Sequence, residues 1–140
     1  QKIEIRHFGN VIIKDNVSIG SNSTIDRASI NSTIIGNNVR IDNLVQIAHN
    51  VQLGRNCVMA GQSGVAGSSI LGEFVVIGGQ SAVSGHLVVG DGITIAGKSG
   101  VTHNLSQPGV YGGIPAVPIK QWRQQVAMLA NMVKRHLRRQ

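Results

Sequence analysis

Aliphatic residues recur every six positions along the middle of the chain: Ile35, Ile41, Ile47, Leu53, Met59, Val65, Leu71, Ile77, Val83, Val89, Ile95 and Val101. Ile, Leu, Val and Met make up roughly a third of all residues, so twelve hits in a fixed register have a chance probability of roughly one in a million. A second column, two positions earlier, reads Val39, Val45, Val51, Cys57, Ser63, Ser69, Val75, Ser81, Leu87, Ile93 and Ser99, mostly small or β-branched. Alternation at i and i−2 is the period of a short strand with one inward face. The residue after each anchor is small or acidic, which suits a corner approached closely by a neighbouring coil. Each hexad therefore predicts one short strand and one corner, and the run predicts an all-β solenoid.

The edges of the pattern set the domain organisation. The rhythm starts weakly at Ile13, Ile19 and Ile25 and slips once, because Ile25 to Ile35 is ten residues, a hexad plus four. The surplus predicts a bulged corner near residues 30–34, and residues 1–10 read as an irregular lead-in. Past Val101 the hexads stop, and Pro108, Pro115 and Pro118 mark an extended link. Trp122, Val126, Leu129, Val133 and Leu137 then follow at spacings of four, three, four and four, which predicts an amphipathic helix. The expected units are a solenoid over 1–107, a Pro/Gly-rich link over 108–118 and a basic helix over 119–140.

Composition agrees with a solenoid: of 140 residues 18 are glycine, 3% are aromatic and 14% are charged, too little bulk for an ordinary globular core. No apolar run approaches the ~18 residues of a membrane span, and no signal peptide is recognisable. The chain enters the pattern at Gln1 without an initiator methionine, which reads as an excerpt or a processed chain. The one cysteine, Cys57, falls in the inward column and reads as a core residue in a reducing, cytoplasmic setting. The net charge of +7 is concentrated in the last segment, where Lys120, Arg123, Lys134, Arg135, Arg138 and Arg139 stand without an acid. Such a patch suits an acidic partner. With Trp122 taken up by the apolar stripe this segment has no other stacking aromatic, so nucleic acid is not the expected partner.

Chemistry can come from few residues. The acids are scattered singly, and the five histidines, His7, His49, His86, His103 and His136, lie too far apart in sequence for a close metal-binding pair, so no metal is expected. With 18 residues per coil, His49, Gly67, Gly85 and His103 fall in one corner column, with His86 one position off it and about 10 Å from His49 along the axis. Gly67 leaves space above His49, with an amide able to face a bound carbonyl, as acyl transfer requires. His7 and His136 read as solvated. Asn43 and Gln46 are candidates for the same groove, or corner residues that cap exposed backbone.

The hexads resemble the hexapeptide-repeat acyltransferases, a resemblance that implies a left-handed parallel β-helix of about five coils. The segment Gln46-Ile-Ala-His49-Asn50, with Ser23-Thr-Ile-Asp-Arg27, Gly78-Gly-Gln80, Ser84-Gly-His86, Pro108-Gly-Val-Tyr111 and Gly113-Ile-Pro115, is similar to the UDP-3-O-acylglucosamine N-acyltransferase family of lipid A biosynthesis. That resemblance implies His49 as general base, Gly67 as backbone oxyanion donor and His86 as an aid to binding or to the transition state. It further implies substrate contacts at Asn43 and Gln46 and puts Thr102 at a position linked to acyl length; His103, by its place in the column, is a weaker substrate-binding candidate. A 3-hydroxyacyl chain would pass from acyl carrier protein to the 2-amino group of a UDP-linked acylglucosamine, in a homotrimer, without cofactor. Members of that family carry an N-terminal uridine-binding domain ahead of the point matching Gln1. The alternatives are the related UDP-N-acetylglucosamine O-acyltransferase, a γ-class carbonic anhydrase on the same solenoid, and a non-catalytic trimeric scaffold.

Overall fold

The computed structural model describes residue 3 and residues 5–137. Short strands stack into three parallel sheets, which form the faces of a β-helix. Sheet A starts from Asn10–Ile13, sheet B from Ser18–Ile19 and sheet C from Thr24–Ile25, and each later strand adds to the next face in turn. Five strands on sheets A and C make five complete coils, and Gly109–Gly112 on sheet B begins a sixth.

Most strands are two residues long and hold only as part of the stack. The anchor column points inward and is at most 3% exposed from Ile35 to Val101. The second column lies beside it, and its serines satisfy themselves: Ser63, Ser69 and Ser81 donate from Oγ to the carbonyls of Ala60, Ser84 and Ala96 at 2.6, 2.8 and 2.9 Å. Small residues after the anchors are needed because coils touch there; a Cβ on Gly36 would come within 2.6 Å of the Leu53 carbonyl oxygen. The sharp part of each corner lies two residues further on. Asn38, Leu44, Asn50, Asn56, Gln62, Ser68, Phe74, Gln80, His86 and Lys98 all have φ between 57° and 62°. Asparagine tolerates this left-handed conformation better than most residues.

Coil length varies where the hexads break. Asn10–Ile13 pairs with Ser32–Ile35 at an offset of 22 residues, the later coils repeat at 18, and Ile93–Ile95 pairs with Gly109–Tyr111 at 16. The four extra residues enter earlier than the sequence suggests. Residues 29–31 form the bend, whereas Ser32–Ile35 is a regular strand, because Ile34 and Ile35 keep the ladder with Gln52 and Leu53. The segment expected as an extended link also carries order. Pro108 precedes the strand and Pro118 ends its antiparallel partner, Val117–Pro118, so Gly109–Gly112 keeps its amides for the ladder.

The C-terminal helix, Ile119–Leu137, rests on this last strand through Ile119 and Trp122, which pack against Gly112 and Gly113. None of its residues is buried, and the stripe Trp122, Val126, Leu129, Val133, Leu137 is uncovered. No helix among the described residues is long and apolar enough to cross a membrane.

Replacing Ile77, fully buried at mid-stack, by Ala is expected to cost about 2–5 kcal/mol in urea unfolding. Gln52→Ala, on the outward side of a strand, should cost no more than about 0.5 kcal/mol; equal costs would contradict the hexad core.

Candidate active site at the His49 corner

Residues 48–50 turn the chain from sheet C to sheet A, and Asn50 takes the left-handed position with φ 62°. Its side chain ties the corner to the inserted loop of the coil below. The Asn50 Nδ2 donates to the Ile30 carbonyl at 2.7 Å, and Oδ1 accepts from the Ser29 backbone N–H and Oγ, both at 3.0 Å. The Asn50 backbone N–H donates to Thr33 Oγ1 at 2.9 Å, and that hydroxyl donates to the Asp26 carbonyl at 2.8 Å. A backbone N–H on one side and a backbone carbonyl on the other leave the Asn50 amide one orientation.

That orientation decides the state of the neighbouring ring. His49 Nδ1 lies 3.1 Å from Asn50 Oδ1, an atom that can only accept, so the neutral ring carries its proton on Nδ1 and presents a lone pair at Nε2. Gly67 lies directly over that edge: a Cβ there would stand 2.6 Å from Nε2 and 2.7 Å from Cε1. The space expected to be open above His49 is thus occupied by its own ring, and the glycine is what admits it. Among the described residues the Gly67 N–H has no hydrogen-bond acceptor, and the same holds at Gly61, Gly79 and Gly85, so an unpaired amide is a feature of these corners. Only at Gly67 does it stand beside an imidazole.

The site also holds a residue read from sequence as solvated. The lead-in is pinned to the inserted loop, with Phe8 N–H on the Ser29 carbonyl at 2.9 Å and Gly9 N–H on the Ala28 carbonyl at 3.1 Å. This brings His7 against His49, ring centroids 5.5 Å apart at 69°. Ile5, Arg6, His7, Phe8, Ile25, Asp26, Arg27 and His49 together line an open cavity of about 700 Å³. Gln46 reaches its edge by donating from Nε2 to Asp26 Oδ2 at 2.9 Å, and its Oε1 accepts from Thr24 Oγ1.

Other candidates stand further away. Asn43 occupies the opposite corner of sheet C, where its Oδ1 accepts from the Ser21 N–H at 2.6 Å and braces the coils. His86 is two coils above the His49 corner, exposed, at a left-handed corner position with its N–H on the Gly67 carbonyl at 3.0 Å. His103 lies in the shortened corner between Val101, which pairs with Val83 at 18 residues, and Leu105, which bridges to Val89 at 16. Thr102 is exposed beside it. Between these groups the outward side of sheet C is a shallow trough over Gln46, Gly64 and Ala82. At its far end Ile114 carbons lie 3.4 Å from the place of a Gly100 Cβ. Lys120, Arg123, Lys134 and Arg135 are exposed on the helix, while Arg138 and Arg139 lie outside the described residues. Cys57 is buried; desolvation pushes its thiol up to about 11, and Sγ donates to the Gly72 carbonyl at 3.1 Å, so it is no nucleophile. No group of three metal-ligating side chains occurs among the described residues.

Sequence reasoning did not find Asn50, Asp26, Arg27 or His7 as parts of this corner. The ten-residue slip was the signal for Asn50, Asp26 and Arg27, which touch or adjoin the inserted loop; His7 lies outside any periodic pattern and had none.

A stacked β-helix with a tautomer-fixed histidine at one corner defines a class. The bacterial transferase hexapeptide family (six repeats) matches residues 32–67. Within that class it is similar to UDP-3-O-acylglucosamine N-acyltransferases, at 58% identity over 94% of this chain for Rickettsia felis and 55% over 85% for Campylobacter lari. These matches cover 38% and 37% of the relatives, so the chain spans about two-fifths of their length. Among solved structures, an Arabidopsis UDP-N-acetylglucosamine acyltransferase superposes with a TM-score of 0.75 at 25% identity, over 81% of this chain and 41% of that one.

Nitrogen-15 NMR of the neutral ring should show His49 with its proton on Nδ1. Asn50→Ala should abolish that bias and destabilise the fold by about 1–3 kcal/mol, because it strands the Ser29 N–H and Ile30 carbonyl. An unchanged tautomer in the variant would rule out orientation by Asn50.

Proposed function

We propose that the His49 corner transfers a 3-hydroxyacyl group from a thioester on acyl carrier protein to the 2-amino group of a UDP-linked 3-O-acylglucosamine. The amine nitrogen attacks the thioester carbon while His49 Nε2 takes its proton. The tetrahedral oxygen gains a hydrogen bond from the Gly67 N–H. The carbon–sulfur bond then breaks, the amide forms, and the proton passes from His49 to the departing sulfur. The observation that carries this reading is the free Nε2 of His49, held at the Gly67 edge by the Asn50 bond to Nδ1. A thioester is already activated, so the residues present suffice for the step.

Other residues take supporting roles in the same reading. Gln46 and Asp26 border the acceptor, His86 assists from two coils away, and Asn43 shapes the far corner more than it touches substrate. The trough along sheet C suits the acyl chain, with Ile114 at its end in place of Thr102 or His103. The cationic helix face orients the acidic carrier protein. Its uncovered apolar stripe calls for a partner surface, which a homotrimer of helices around one axis supplies. A buried free thiol accords with work in the cytoplasm.

The second reading, O-acylation of UDP-N-acetylglucosamine, is favoured by the structural neighbour of that name. A relative named as an N-acyltransferase shares 58% identity with this chain against 25% for that neighbour, which favours amine acylation.

In the full-length protein, His49→Ala should lower turnover of the 3-O-acylated amine acceptor by about 10²–10⁴-fold, with UDP-N-acetylglucosamine a poor acceptor throughout. Unchanged amine acylation would defeat the catalytic reading and leave a scaffold.

A further inference from the structure

The cavity beside His49 holds more positive charge than the transfer step uses. Arg6, His7 and Arg27 line it together, and Asp26 is its one carboxylate. Asp26 is engaged by Gln46, and neither guanidinium has a carboxylate within 4 Å among the described residues, where the ion pair formed is Arg55 with Glu73. Two exposed guanidiniums and a histidine ring against a single carboxylate give the cavity a positive field that favours an anion. The arrangement is also built in advance. Arg6 and His7 ride on a segment fixed by the Phe8 and Gly9 backbone bonds, and Arg27 stands on the loop that receives those bonds.

We propose that Arg6, His7 and Arg27 form a cradle for a phosphate or diphosphate group, placing the rest of that ligand at His49. Guanidinium forks match phosphate oxygens in pairs, and a histidine ring adds one further donor. The reading of the site as an acyltransferase offers two sources: the diphosphate of the nucleotide-linked acceptor and the phosphate of the carrier protein's pantetheine arm. That assignment of source rests on the proposed function, whereas the cradle itself rests on the cavity.

Titration calorimetry with inorganic pyrophosphate tests the cradle without any turnover. Pyrophosphate should bind saturably, and Arg6→Gln and Arg27→Gln should each weaken it about ten-fold, as loss of one charge-assisted contact predicts. Lys98→Gln, an exposed cation at another corner, is the charge-matched control and should change it less than about two-fold. Matching melting temperatures confirm that each variant is folded. Absence of saturable binding, or equal weakening by Lys98→Gln, would overturn the cradle. UDP and phosphopantetheine run in parallel identify the source as the one whose binding Arg27→Gln weakens. Loss of activity in His49→Ala bears on the catalytic reading alone, so the two can fail separately.

Discussion

The amide of Asn50 is the contact on which the site depends. Its Nδ2 and Oδ1 clamp the loop that interrupts the repeat, and the same Oδ1 accepts from His49. One side chain therefore joins two tasks that a uniform stack of hexads would keep apart: closing an oversized coil and fixing a tautomer. Without the clamp the Ser29 N–H and Ile30 carbonyl would lose their partners, and the ring would keep only its contacts with Gly67 and His7.

The solenoid supplies rigidity for this corner. Each coil is held by its neighbours through a regular ladder and a column of buried aliphatics, so the His49 and Gly67 corners are set by a stack that has little freedom to slide. The candidate site then lies where the stack departs from its rule. The 22-residue coil carries the loop, the loop receives the lead-in, and the lead-in brings Arg6 and His7 to the cavity.

The fold was legible because its signal is periodic: inward anchors at six-residue spacing, stacking at eighteen and the helical stripe after Pro118 all follow from repeated chemistry. The pairing of His49 with Gly67 was legible for the same reason, since both sit in the regular coils. His7 was not, because a lead-in without periodicity gives no register by which to place it. Asn50 was readable only as the end of the Gln46–Asn50 segment; its grip on the inserted loop depends on where four unpatterned residues fold. His103 lies where the 18-residue count gives way, between Val101 and Leu105, so counting alone does not fix its place.

Excising residues 28–31, which restores an 18-residue spacing to the first coil, separates the stack from the site. The deletion should still unfold cooperatively, while the His7–His49 proton contact and the single His49 tautomer disappear from its NMR spectrum. A deleted protein that kept both would contradict the dependence of the site on the break in the repeat.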